Sequence, residues 1–136
     1  VIEFNARFGD PETEVVLPRL KSDAVELFMD VACGREPKAE WSEKATLGIV
    51  LASKGYPGSY DKGAVIRGTE NVESKIYHMG TALKDGELVT AGGRVMIVVA
   101  EAESLREAQQ KAEADVKRIE CDNLFHRTDI GAKAFK

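Results

Sequence analysis

The sequence predicts an α+β fold, in which a short strand and a helix precede a β-rich segment that carries one long helix. Residues 1–8 alternate between apolar and polar side chains, which is the period of a half-buried strand. Several later runs are rich in β-branched residues, and Asp85-Gly86 between two of them is a strong hairpin signal. Ser104 and Glu107 have the spacing of a capping box at the start of a helical apolar pattern.

Composition excludes several function classes. The chain has 136 residues, 43% of them hydrophobic, so it can bury a core. Lys and Arg are scattered and the net charge is -4, which argues against a nucleic acid or an anionic membrane as partner. Cys33 and Cys121 lack metal or disulfide spacing, and no apolar run could span a bilayer. We expect a cytoplasmic protein.

In the opening strand, Glu3, Asn5 and Arg7 form a polar row on the face opposite the apolar residues. The run from Gly9 to Glu12 breaks the strand, because Pro11 cannot donate a hydrogen bond to a neighbouring strand. A loop therefore follows the polar row.

Residues 25–32 have helical apolar spacing, with Ser22 or Asp23 placed to cap the helix and Gly34 placed to end it. The stretch 34–42 is charged and aperiodic, so we expect a domain boundary between residues 37 and 38 there. The chain also opens directly in strand-like sequence without Met, which predicts a fragment of a longer protein.

The second segment is predicted to contain five strands and then the long helix. Asp85-Gly86 and Gly92-Gly93 are turn signals, so the last three strands should form an antiparallel meander. The apolar stripe after Ser104 indicates about four helical turns. The predicted strands are 45–53, 64–67, 75–83, 87–90 and 93–101.

The polar row has the residue types of a magnesium site. The carboxylate of Glu3 and the carboxamide of Asn5, two residues apart on one face, supply the oxygen ligands that Mg2+ prefers. Arg7 could neutralise a phosphoryl or acyl-phosphate group through paired hydrogen bonds. The same spacing also occurs on the polar faces of ordinary edge strands, so it leaves both interpretations open.

Several longer motifs, in order, resemble glycinamide ribonucleotide synthetase, the phosphoribosylamine-glycine ligase family. Together they span nearly the whole chain, which is more specific than a single short pattern. The motifs are VIEFNARFGDPETE at 1–14, PRLKSD at 18–23, VLASKGYPGSYDKG at 50–63, GTALKDGELVTAGGRV at 80–95 and FHRTDIGAKA at 125–134.

The resemblance implies that Glu3 and Asn5 hold the Mg2+ or Mn2+ ions that bridge the phosphates of ATP. It implies a role for Arg7 beside the transferred phosphoryl group, and for Asp10 and Glu12 in contacting an amine-bearing substrate. The implied reaction joins glycine to 5-phosphoribosylamine through glycyl phosphate, with ATP converted to ADP and phosphate. The parent would be an ATP-dependent ligase of purine biosynthesis.

The resemblance also implies an architecture. Residues 1–37 would be the end of an ATP-grasp domain, and residues 38–136 a small antiparallel, barrel-like domain related to the carboxy-terminal domain of biotin carboxylases. The remainder of the ATP-grasp enzyme would then be missing, so the chain alone is not expected to catalyse. The alternative is that residues 38–136 form a self-standing, non-catalytic binding or interaction module.

Other polar residues have ordinary structural explanations. Tyr56, Tyr60 and Lys62 surround a Gly-rich segment that could approach a phosphoribosyl phosphate, but the same segment also fits a surface turn. His78 and His126 have no Cys or carboxylate at ligand spacing, which favours packed or exposed histidines over catalytic ones.

Overall fold

Two antiparallel sheets and three α-helices form the fold in the computed structural model, which describes residue 4 and residues 6–135. The strands are β1 (Ala45–Ser53), β2 (Lys75–His78), β3 (Thr81–Lys84), β4 (Glu87–Thr90), β5 (Arg94–Ala102) and β6 (Leu124–Phe125). The helices are α1 (Glu12–Val16), α2 (Ala24–Ala32) and α3 (Leu105–Val116). The first sheet has the strand order β2-β5-β1-β6, and β3 pairs with β4 in the second.

The core is built on the pairing of β1 with β5. Both strands have nine residues and pair antiparallel from Ala45 opposite Ala102 to Ala52 opposite Arg94, with one irregularity near the end. β5 is apolar along most of its length, as expected of a strand that is covered on both faces. The fully buried residues of β5 are Val95, Met96, Ile97, Val98 and Ala100.

The helix α3 covers one face of this pair. Ser104 accepts a hydrogen bond from the amide of Glu107, and the Glu107 side chain accepts one from the amide of Ser104, so the predicted capping box is confirmed. Small side chains allow the helix to approach the sheet closely. Ala108 and Ala112 are fully buried, and Val116 is nearly so.

On the opposite face, α1 packs against β1 at Gly48. A Cβ at Gly48 would lie 2.7 Å from Val15 Cγ1 and 2.6 Å from Ile97 Cδ1, so glycine is what admits the helix there. The hydroxyl of Thr46 donates a hydrogen bond to the Val15 carbonyl at 2.6 Å. The segment that follows the predicted polar row is therefore attached to the β-rich part of the chain.

Several predicted elements are confirmed. The predicted strands 45–53 and 87–90 coincide with β1 and β4, and α2 begins after Asp23, which accepts hydrogen bonds from the amides of Val25 and Glu26. Asp85 and Gly86 both have positive φ, at 53° and 84°, as a tight hairpin turn between β3 and β4 requires.

The predicted meander is wrong. The run 75–83 divides into β2 and β3 at Met79-Gly80, β2 pairs with β5, and β3 and β4 form a separate hairpin. Gly80 and Gly92 pass each other where the chain leaves and rejoins the main sheet, and a Cβ on Gly80 would lie 2.8 Å from the Gly92 Cα. Gly92-Gly93 thus permits a close chain crossing instead of making a hairpin turn.

The barrel-like architecture is also corrected. The outer strands β2 and β6 have only four and two residues, and in the described residues no pairing joins them. Closure into a barrel requires every strand to pair on both sides. The predicted strand 64–67 contributes only isolated bridges, from Val65 to Val89 and from Arg67 to Glu120.

The predicted opening strand falls partly on residues outside the described part of the chain. Phe4 and residues 6–8 are described, and they are not in a strand. Phe4 is 93% exposed and Phe8 is 45% exposed, so the expected apolar face is not buried. A strand needs a hydrogen-bonded neighbour, and none of the described segments pairs with these residues.

Asp115 ties the end of α3 to the loop before β2. Its buried carboxylate accepts hydrogen bonds from the amides of Glu73 and Ser74 at 3.2 and 2.9 Å, and from Arg118 at 2.8 Å. Burial raises the pKa of Asp115, but these donors outweigh it and hold the pKa below the ordinary value of 3.8. Ser74 Oγ makes no hydrogen bond of normal geometry, so the two amides and Arg118 carry the effect.

We predict that Asp115→Asn lowers the free energy of unfolding by about 2–4 kcal/mol at pH 7, because it leaves buried donors unsatisfied. A lowered folded pKa stabilises the protein above the unfolded value, and this stabilisation is lost as the pH falls through the folded pKa. The difference between Asp115→Asn and wild type in urea unfolding should therefore shrink below about pH 4. The exposed Asp122 provides the control Asp122→Asn, and an equal pH dependence in both variants would contradict the assignment.

We predict that Gly48→Ala destabilises the protein by about 1–3 kcal/mol through overpacking against α1. The double variant Gly48→Ala/Val15→Ala should recover part of the loss, since it shortens one of the two side chains that a Cβ would meet. Thermal unfolding of the wild type, both single variants and the double variant measures this coupling. Strictly additive effects would show that Gly48 and α1 do not pack as described.

Candidate functional site

The structure describes three of the five predicted site residues. Glu3 and Asn5, the predicted metal ligands, lie outside the described residues. Arg7 is exposed, and its Nη1 donates a hydrogen bond to the Phe8 carbonyl at 2.7 Å. Its remaining N–H groups have no partner within the described part of the chain.

The loop after Arg7 closes on itself through Glu12. The Glu12 amide donates to the Gly9 carbonyl, and the Gly9 amide donates to Glu12 Oε2, both at 2.9 Å. Glu12 is also the first residue of α1, so the loop leads directly into the helix that packs on Gly48. One oxygen of the predicted substrate ligand Glu12 is therefore used to shape the loop.

Asp10 is joined to a residue far away in the sequence. Arg94 Nη2 donates to Asp10 Oδ2, and Arg94 Nη1 donates to the Asp10 carbonyl, both at 3.0 Å. The Asp10 side chain is 56% exposed and that of Arg94 is 36% exposed, so both still face solvent. The structure thus brings Asp10 and Glu12 together in one loop and adds Arg94 to it.

Sequence reasoning missed Arg94. It is the first residue of β5, directly after Gly92-Gly93 and before a run of buried apolar residues. A charged residue directly before a run of six apolar residues in the same strand is a usable signal of a polar role at the strand end. Its partner Asp10 is 84 residues away, however, and only the fold reveals the pair.

The Gly-rich segment with Tyr56 and Tyr60 lies beside the same strand end. The two rings make an edge contact with centroids 6.4 Å apart, and a Cβ at Gly93 would lie 2.8 Å from Tyr56 Cε2. The Ser53 amide donates to the Gly93 carbonyl at 2.8 Å. This segment therefore packs on Gly93, the residue before Arg94. Lys62, further along the segment, is exposed.

The histidines have partners that account for them. His78 Nδ1 lies 2.9 Å from the Thr81 hydroxyl, and His126 Nε2 lies 3.4 Å from Glu113 Oε2. Over residue 4 and residues 6–135, no three His, Cys, Asp or Glu side chains are grouped so that they could hold a metal ion. The predicted metal ligands Glu3 and Asn5 are not among those residues.

An apolar surface lies on α2, which we call the α2 face. It consists of Val25, Phe28, Met29 and Val31, which are 69%, 70%, 53% and 61% exposed. Large apolar side chains clustered on one short helix usually mark a contact surface. Among the helices that the structure describes, none is long and apolar enough to cross a membrane.

Comparison with protein-family models matches residues 46–133 to the C domain of phosphoribosylglycinamide synthetase. The chain is 55% identical to the phosphoribosylamine–glycine ligase of Halalkalibacterium halodurans over 98% of its own length and 32% of that protein. It is 47% identical to the ligase of the same name from Caldanaerobacter subterraneus, over 97% of its length and 32% of that protein. The chain thus spans about a third of the length of these relatives.

A solved structure agrees with the sequence relatives. The crystal structure of phosphoribosylamine–glycine ligase from Thermotoga maritima matches with a TM-score of 0.86 and 34% identity. The match covers 96% of this chain and 33% of that one. The likeness therefore extends over the amino-terminal segment with α1 and α2 as well as over the β-rich part.

Proposed function

Since this chain belongs to the phosphoribosylglycinamide synthetase C-domain family, we propose that it works as the carboxy-terminal part of an ATP-dependent ligase that joins glycine to 5-phosphoribosylamine. The products are glycinamide ribonucleotide, ADP and phosphate, which places the reaction in purine biosynthesis. The observation that carries the proposal is the 55% identity to a phosphoribosylamine–glycine ligase over 98% of this chain.

In this proposal, Glu3 and Asn5 hold Mg2+ or Mn2+ at the ATP phosphates. Their carboxylate and carboxamide oxygens are the donor types that these ions bind. Bound metal would offset the repulsion between a carboxylate substrate and the triphosphate. The remaining proposed roles, in phosphoryl transfer and in substrate binding, belong to Arg7 and to Asp10 and Glu12 in the loop that follows it.

Arg7 acts on the group that is transferred. Its guanidinium is exposed and makes one hydrogen bond within the described residues, and a guanidinium is suited to bind the phosphoryl group as it moves to the glycine carboxylate. Asp10 and Glu12 contact the amine-bearing substrate from the loop that follows. The amine of 5-phosphoribosylamine then displaces phosphate from glycyl phosphate, so no covalent bond to the protein is needed.

The exposed apolar side chains of the α2 face support the proposal that this chain is one part of a larger active protein. Residues 1–37 would complete an ATP-grasp domain whose other parts cover these exposed apolar side chains, and residues 38–136 would be a small closing domain. A cytoplasmic location follows from the same proposal. An isolated chain would then bind neither ATP nor its co-substrates productively.

We predict that a hybrid ligase is active when this chain replaces the corresponding third of the Halalkalibacterium halodurans enzyme. Glu3→Ala and Asn5→Ala should each lower the rate of glycinamide ribonucleotide formation about a hundredfold or more, because each removes a metal ligand beside the reacting phosphates. ADP release in the presence of glycine and 5-phosphoribosylamine measures the rate. Circular dichroism checks that the variants fold.

Glu70→Ala, an exposed acidic residue in the β-rich part, serves as the matched control and should leave the rate unchanged. An active hybrid whose rate does not depend on Glu3 or Asn5 would contradict their assigned role. That outcome would favour a non-catalytic interaction module with a merely structural opening segment.

We also predict that Phe28→Ser has little effect on the stability of the 136-residue chain, because the ring is 70% exposed. In the hybrid ligase the same change should lower the unfolding midpoint, since an apolar contact of about 1.5–3 kcal/mol would be lost. Leu83→Ser, at a 78% exposed position of the β3–β4 hairpin, is the control. Equal shifts for both variants in the hybrid would show that nothing covers the α2 face.

A further inference from the structure

Arg94 and Asp10 form the longest-range ion pair near the candidate site. The guanidinium makes two hydrogen bonds to one residue, a carboxylate oxygen and a backbone carbonyl, each at 3.0 Å. Two parallel N–H donors fix both the side chain and the backbone of their partner. We infer that Arg94 is a positioning residue that holds the Asp10 loop in its substrate-binding conformation.

The two ends of this contact differ in rigidity. Arg94 starts β5, and the next four residues of that strand are fully buried. The preceding Gly93 is held by the Ser53 amide and packs on the Tyr56 ring. A Cβ on Gly80 would lie 2.6 Å from the Arg94 carbonyl, so the backbone is enclosed on that side as well.

The Asp10 loop, by contrast, has mainly local support. Its hydrogen bonds between Gly9 and Glu12 close a turn of four residues without connecting it to the sheet. Helix α1 begins directly afterwards, and among its described hydrogen bonds the one that reaches the sheet lies further along, from the Thr46 hydroxyl to the Val15 carbonyl. Among the hydrogen bonds of the described residues, those from Arg94 are therefore the ones that join the loop itself to the core.

The contact also selects which oxygen of Asp10 remains available. Arg94 occupies Oδ2 and the main-chain carbonyl, while Oδ1 has no hydrogen-bond donor within the described residues. A substrate ammonium or amine can donate to that oxygen. The role of Asp10 Oδ1 in binding an amine substrate rests on the ligase function proposed above. The role of Arg94 in fixing the loop does not rest on that function.

A lysine at position 94 cannot reproduce both hydrogen bonds that Arg94 makes to Asp10. A single ammonium keeps the charge but lacks the planar pair of donors that reaches both Asp10 oxygens. Glutamine at this position removes the charge and shortens the side chain. The series Arg94, Arg94→Lys and Arg94→Gln therefore separates charge from geometry.

The first test of whether Arg94 fixes the loop is hydrogen exchange of the Gly9 and Glu12 amides in the 136-residue chain. Arg94→Gln should speed their exchange about threefold, as expected for an exposed ion pair, and Arg94→Lys should speed it less. Arg67→Gln is the matched control, because Arg67 pairs with Glu87 at the same 3.0 Å distance on the β4 strand. Equal exchange in Arg94→Gln and Arg67→Gln would overturn the inference.

Kinetics of the hybrid ligase test the substrate role. Arg94→Gln should lower kcat/KM for the amine substrates about tenfold, mainly through KM, since a displaced loop misplaces its ligands. The KM for ATP should stay within about twofold, and Arg94→Lys should recover part of the loss. An unchanged kcat/KM, or an equal rise in the KM for ATP, would overturn the inference.

The two proposals fail in different ways. If the unmutated hybrid forms no glycinamide ribonucleotide, the ligase function fails, and hydrogen exchange alone still decides whether Arg94 fixes the loop. If the hybrid is active but Arg94→Gln behaves like Arg67→Gln in both measurements, the ligase function stands and the positioning role is overturned.

Discussion

β1 and β5 pair over nearly their whole length, and α1, α3, β2 and β6 all pack on a face or pair with an edge of these two strands. The α3 helix covers one face through its buried alanines, and α1 covers the other at Gly48. The short strands β2 and β6 add to the edges. A change of register by one residue would turn one strand over relative to the other, so Gly48 and the close approach of α1 would no longer coincide.

The same pair connects the β-rich part to the segment that carries the predicted chemistry. The contacts that make this connection include the Thr46 hydroxyl on Val15, the packing of Val15 at Gly48, and the ion pair of Arg94 with Asp10. In the proposed ligase, the closing domain would therefore do more than cover the site, because it would hold a substrate loop in place. The α2 face points to further packing beyond these contacts.

Two carboxylates of the fold, Asp115 and Asp10, each pair with an arginine in different surroundings. Asp115 is almost fully buried, yet two amides and Arg118 satisfy its carboxylate and hold its pKa below the ordinary value although burial raises it. The Asp10–Arg94 pair is more exposed, so its contribution to stability is small and its value lies in geometry. One pair stabilises the end of a helix, and the other orients a loop.

The sequence by itself determined the elements with strong local signals: the nine residues of β1, the capped helices, the hairpin turn at Asp85-Gly86 and the family. The strand, the helices and the turn depend on neighbours within a few residues, so periodicity and capping suffice to predict them, whereas the family was inferred from the resemblance of several long motifs in order. Only the tertiary structure decided the strand order, the open sheet and the crossing of Gly80 with Gly92, since these depend on which distant strands meet. Arg94 was missed for the same reason, because 84 residues separate it from Asp10 and no local pattern encodes that contact.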